Sequence, residues 1–171
     1  KDNIRIEANG TLDELNAHLG LIRSYLPLED PRHSFIGQVQ MQIMQAMSLV
    51  ATRSERRAEN PNSFDLAWLS ALEEETARLM SELSENGLFI LPGGTPLSAQ
   101  MQLARTVARR AERRLWTLDR EDPLPEGLIP WVNRMSDWLF VLAKWEMQQQ
   151  NWPEERWQAF SYKRKKKPAH D

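Results

Sequence analysis

Apolar residues recur along the chain at spacings of three and four, the mark of helices that bury one face. Leu12, Leu15, Leu19, Ile22 and Leu26 form the first such seam. It follows Thr11-Leu12-Asp13-Glu14, a capping box with Glu14 at the third helical position, so the first helix is expected to begin at Thr11 and to stop at Pro27. Asp30 as N-cap with Pro31 behind it opens a second helix, whose seam is Ile36, Val39, Ile43, Met47 and Val50. Asn60-Pro61 is expected to end it. A third helix, capped by Asn62 or Ser63, carries Leu69, Leu72, Thr76, Leu79 and Leu83, with Asn86-Gly87 as a left-handed C-cap. Thr95-Pro96 starts a fourth that runs to about Asp119, and a fifth starts near Leu128 to Trp131 and reaches about Gln150. No strand alternation of useful length interrupts them. The pattern predicts an all-α fold, a five-helix up-down bundle with short connections, in one domain over residues 1–171.

Composition narrows this picture. A chain of 171 residues is long enough for one domain with a real core. The net charge is -2, which disfavours a general nucleic-acid or membrane field and leaves only local clusters as anion sites. Cys is absent, which rules out disulfides and thiolate metal sites, and with no apolar signal or membrane-spanning run the expectation is a cytoplasmic protein. A di-iron bundle of the ferritin kind is disfavoured, because no Glu-x-x-His occurs. Of seven Trp, five follow residue 130, and packing is their expected use. The basic run near residues 163–171 reads as a solvated, mobile tail.

The densest chemistry is the stretch RTVARRAERR, Arg105 to Arg114. At about 100° per residue, Leu97, Met101, Ala104, Ala108, Ala111, Leu115 and Leu118 share the buried face of the fourth helix. Arg105, Arg109 and Glu112 lie on one flank of that face, Arg110 and Arg114 on the other, and Arg113 points away. The charges therefore do not form one basic stripe, which argues against a nucleic-acid helix. Half-buried arginines need carboxylate or phosphate partners, and the guanidinium fork suits both. Local pairing of Glu112 with Arg109 is one reading, and an anion site is the other. Asn133 and Asp137 share a face of the fifth helix, and Asp13 and Asn16 share one of the first; each pair alone is better explained by ordinary capping or solvation.

Three blocks taken in series resemble one family. They are RIEANGTLDELNAHLGLIR (Arg5 to Arg23), FILPGGTPLSAQMQLARTVARRAERR (Phe89 to Arg114) and WVNRMSDWLFVLAK (Trp131 to Lys144). Their order and spacing resemble the PduO-type ATP:cob(I)alamin adenosyltransferases. The resemblance implies a homotrimeric five-helix bundle with active sites between subunits. It implies transfer of the 5′-deoxyadenosyl group of ATP to the cobalt of cob(I)alamin, giving adenosylcobalamin and triphosphate, with Mg²⁺ assisting. The alternative within the same fold is a non-catalytic member that binds or delivers cobalamin.

Carried over residue by residue, the resemblance assigns Arg109, Arg110, Glu112 and Arg113 to ATP, with Asn133 as a nucleotide-binding asparagine and Lys1 as a further ATP contact. Arg109 and Phe89 are its catalytic residues. Phe89 lies against the lower face of the corrin, where it displaces the axial base and makes reduction to Co(I) easier. Arg105 pairs across the subunit interface with Asp13. No protein metal ligand is implied. The partners implied are ATP, cob(II)alamin and cob(I)alamin, two further copies of the chain, a reductase and a B12-dependent acceptor enzyme. The family's Thr-Lys-x-Gly-Asp-type phosphate loop falls before residue 1, and Asn9 and Lys144 depart from the aromatic and the arginine common at those positions.

Overall fold

The structure, a computed structural model, describes residues 3–84 and 90–155. Among them are five long helices: α1 (Ile4–Ser24), α2 (Pro31–Ala51), α3 (Ala67–Glu82), α4 (Pro96–Asp119) and α5 (Leu128–Gln149). A 3-10 turn, Ser54–Glu59, follows α2. The helices pack laterally in the order α2, α1, α4, α5, α3. Ion pairs fix the directions. Glu14 meets Arg110, and Glu7 lies 3.9 Å from Arg114, so α1 and α4 run antiparallel. Glu73 meets Arg134 and Glu82 meets Trp145, so α3 and α5 run parallel. The result is the expected up-down bundle.

The seams read from the sequence are the core. All seven positions predicted for the inner face of α4 are buried, and Ala104, Ala108 and Ala111 are fully so. Small side chains there let α1 and α5 approach α4 closely. Trp131 and Trp138 are the largest fully buried side chains, and Phe64 packs edge-on against both Trp68 and Trp131.

Several helix ends differ from expectation. The first helix starts at Ile4, not Thr11. Asn3 caps it by accepting from the Arg5 N–H at 2.9 Å, and Thr11 lies inside it, donating its hydroxyl to the Glu7 carbonyl. Burial of Ala8 and anchoring of Arg5 on Asp122 and the Val50 carbonyl hold the extra turns, despite Gly10 within them. The second helix ends at Ala51, well before Asn60. The Asn60 amide instead turns back and donates to the Ser48 carbonyl and the Thr52 hydroxyl, so side chains take over the helix end.

The third helix begins at Ala67, not beside Asn62 or Ser63. Asp65 accepts from the Ala67 N–H, while Asn62 is occupied with Ser48 of α2. It ends at Glu82, where the Ser84 N–H and hydroxyl both donate to Gln148 of α5. Asn86-Gly87 and the basic tail lie outside the described residues. The starts of α2, α4 and α5 fall as predicted. Gly127 stands immediately before α5 with φ 82°, a left-handed conformation that favours glycine.

Candidate functional site: the arginine flank of α4

Thr95 caps α4 by accepting from the Ser98 N–H at 3.1 Å, and Gly94, at φ 89°, closes the preceding linker against Met147 of α5. This fixes the register of α4 against α5 and so decides which side chains meet across the groove.

The arginines divide as the helical wheel requires. Arg110 and Arg114 face α1. Arg110 is held by Glu14, and Arg114 lies near Glu7 at the surface. Arg105 is half-buried on the other flank, and its Nε donates to the Oε1 of Gln102 at 2.7 Å. Gln102 is itself 4% exposed, so the amide that receives Arg105 is built into the core edge. Burial, followed by the neighbouring charge of Arg109, pushes the Arg105 guanidinium down from its ordinary range. A cation desolvated in this way calls for an anionic partner, and none among the described residues pairs with it.

Arg109 and Arg113 are exposed and form no ion pair among the described residues. The local Arg109–Glu112 pair that i,i+3 spacing allows does not form. Glu112 turns to α5 instead, where its Oε1 accepts from the Asn133 Nδ2 at 3.1 Å. That contact joins two residues the sequence reading placed at the nucleotide. Asp137, the other polar residue on the face of Asn133, is engaged by Arg134 at 2.9 Å.

Asp13 is exposed on α1 and makes no ion pair with Arg105 within the chain. It lines a cleft of about 380 Å³ together with Arg5, Ile6, Asn9, Gly10, Met47 and Ala51. A larger cleft of about 850 Å³, floored by Pro27, Pro31, Phe35 and Trp145, contains none of the predicted residues. The α4 flank is thus an open surface within one chain. Lys1 and Phe89 lie outside the described residues.

Gln102 escaped sequence reasoning. Its signal was available: it stands three residues before Arg105 on the core side of the same flank. The fold also has a buried ionic link the sequence did not suggest, in which Arg32 at the start of α2 joins Asp30 to Glu146 of α5 and covers the Trp145 ring at 5.0 Å.

The described helices include none long and apolar enough to cross a membrane. The family model for cobalamin adenosyltransferases matches residues 1–146. The corrinoid adenosyltransferase PduO of Citrobacter freundii is 36% identical over 147 residues, covering 85% of this chain and 43% of the relative. Its counterpart from Salmonella typhimurium is 37% identical over 146 residues, again covering 43% of that protein, so the chain spans under half the length of these two relatives. The corrinoid adenosyltransferase of Bacillus subtilis is 30% identical over 147 residues, covering 84% of this chain and 75% of the relative. Among solved structures, a variant of the PduO-type ATP:corrinoid adenosyltransferase from Lactobacillus reuteri, complexed with cobalamin and ATP, superposes with a TM-score of 0.87 at 26% identity, over 93% of this chain and 88% of that one. With its bundle, its arginine flank and these matches, the chain belongs to the cobalamin adenosyltransferase family.

Proposed function

We propose that this protein transfers the 5′-deoxyadenosyl group of ATP to the cobalt of cob(I)alamin, releasing adenosylcobalamin and triphosphate. One observation carries the reading: in a chain of this family, Arg109 stands exposed and free of acids on the flank of α4 that bears the Glu112–Asn133 contact, with the exposed, acid-free Arg113 next to Glu112 in sequence. The L. reuteri variant was solved complexed with cobalamin and ATP.

The chemistry asks little covalent work of the protein. The Co(I) electron pair attacks C5′ of the ribose, the C5′–O bond breaks, and its electrons leave with the triphosphate. What the chain must supply is alignment of C5′ and stabilisation of a departing polyanion. Arg109, Arg110 and Arg113 can hold phosphate oxygens through guanidinium forks, with Lys1 as a further cation. Arg110 would be shared between phosphate and Glu14. Asn133 and Glu112 would hold the nucleoside end, and Phe89 would press on the lower face of the corrin.

Mg²⁺ is the expected ion of the reaction. Among the described residues no three His, Asp or Glu side chains gather to hold a metal. The donor set therefore fits an ion carried mainly by the phosphates, where its chemistry would be to offset leaving-group charge.

The site is completed between protomers of a homotrimer, through Asp13 of one and Arg105 of the next. The half-buried, acid-free Arg105 and the exposed, acid-bearing α1 cleft support this pairing. A reductase would supply the Co(I) state, and a B12-dependent enzyme would accept the product. The expected setting is the cytoplasm.

Anaerobic titration with ATP and cob(I)alamin, followed by absorbance, tests the reading. Replacement of the Co(I) spectrum by that of an alkylcobalamin supports it. Retention of cobalamin with no ATP bound at millimolar concentration would instead identify a cobalamin carrier.

A further inference from the structure

We infer that Asn9 is a second acceptor at the contact between copies: its amide oxygen and the Asp13 carboxylate form a socket on α1 that takes the guanidinium of Arg105 from a second copy of this chain. The inference rests on the proposed pairing of Asp13 with Arg105 and adds to it a residue, a geometry and a reason for arginine.

The socket begins with spacing. Asn9 and Asp13 stand at i and i+4 on α1, so they share a face with their Cβ atoms about 5–6 Å apart. Both line the cleft of about 380 Å³. Asp13 is exposed and makes no ion pair among the described residues. The Oδ1 of Asn9 is buried, and no donor among those residues reaches it, which is costly for an amide oxygen. The χ2 torsion of asparagine is broad, so this oxygen can turn onto the cleft within its rotamer. A Cβ on Gly10 would meet nothing within 4 Å, so the approach over this turn of α1 is open. Arg5, the cation in the lining, is already committed to Asp122 and the Val50 carbonyl.

The cleft thus offers two acceptors, one of them charged, and Arg105 offers the converse. Its Nε is tied to the Gln102 Oε1 at 2.7 Å, which leaves both Nη groups without a partner among the described residues. One Nη can donate to the carboxylate while the other donates to the amide oxygen. A lysine ammonium has no such planar fork. A carboxylate alone would let the guanidinium swivel about one contact. A second acceptor fixes its plane, and with it the face of α4 that carries Arg109 one turn on. Asn9 stands where the family commonly carries an aromatic, so this second point of attachment is a feature of this chain. The contact is head-to-tail, since the socket lies on α1 and its guest on α4, and each copy both gives and receives.

The test is sedimentation equilibrium over a concentration series, which gives the dissociation constant of the oligomer. It compares wild type, Asn9→Ala, Asp13→Asn and the double variant Asn9→Asp with Asp13→Asn, with thermal melts by circular dichroism to confirm the bundle in each. Asn9→Ala should raise the dissociation constant about tenfold per contact, the size of one hydrogen bond to a charged group. Asp13→Asn should raise it further. The double variant moves the carboxylate one turn along α1 and leaves an amide in its place, so it should regain most of what Asp13→Asn loses. An Asn9 that only supports the helix would give no such rescue. An oligomer unaffected by Asn9→Ala overturns the inference, and so does a double variant no tighter than Asp13→Asn. A wild type that stays monomeric, or an Asp13→Asn variant that assembles normally, sinks the proposed pairing itself, a different result from an oligomer that needs Asp13 but is indifferent to Asn9.

Discussion

Arg109 projects from α4 with no acid paired to it among the described residues, one turn beyond the half-buried Arg105. A surface arginine of this kind contributes little to folding, so its value must be sought in what it binds. In the proposed reaction it faces charge that grows as the C5′–O bond breaks, which is where a fixed cation has most effect. Arg109→Ala is expected to lower kcat/KM by about 10²- to 10³-fold while the melting temperature stays within a few degrees of wild type. Normal turnover in that variant would remove Arg109 from the site. The division of the arginines between two flanks was legible in the sequence, because it follows from 100° per residue alone. Their partners were not. Glu14 meets Arg110, and Asn133 meets Glu112, only through the register of α1 and α5 against α4, and periodicity carries no information about register.

At the scale of elements, local signals were readable and distant ones were not. Asp30-Pro31 and Thr95-Pro96 open α2 and α4 as expected, because a cap and its N–H are only two or three residues apart. The Thr11 capping box misled for the opposite reason. The start of α1 is settled by Asp122, more than a hundred residues away, which binds Arg5 at 2.5 Å and the Ser54 N–H at 3.1 Å. One carboxylate thereby ties α1, the turn after α2 and the α4–α5 loop together. The hydrogen bonds from Ser54, then the contacts of Arg5, outweigh burial and hold the Asp122 carboxyl down from 3.8 to about 2. A depressed carboxyl adds stability that is complete above its unfolded value and is lost as pH falls through its folded one. The bundle should therefore lose on the order of 2 kcal/mol between about pH 4 and pH 2 through this group. Asp122→Asn should flatten that part of the curve in denaturant titrations, and an unchanged acid limb would remove Asp122 from the account.

At the scale of the whole molecule, the single chain leaves its proposed site as an open flank rather than a pocket. Ile6, which lines the cleft that carries Asp13, is 57% exposed, and Met41 and Met44 on α2 are exposed at 64 and 52%. Apolar exposure next to an unpaired acid, in a chain that also bears a desolvated arginine, is what a shared interface requires of each copy. Light scattering on the purified protein is expected to give a trimer. Arg105→Asp should weaken it and abolish transfer, and combining that change with Asp13→Arg should restore assembly at least in part. Failure of the reversed pair to rescue, with both single variants still folded, would separate Arg105 from Asp13. Fold class and family were readable from three blocks of sequence. The shared character of the site was readable only through the resemblance, since no intrachain pattern reports what a second copy contributes.

The central claim is that an intact triphosphate leaves as a carbon–cobalt bond forms. It is tested most directly by counting products after anaerobic incubation of the protein with cob(I)alamin and ATP. The account predicts adenosylcobalamin and inorganic triphosphate in equal amounts. ATP broken down to diphosphate and phosphate with no alkylcobalamin formed would contradict it.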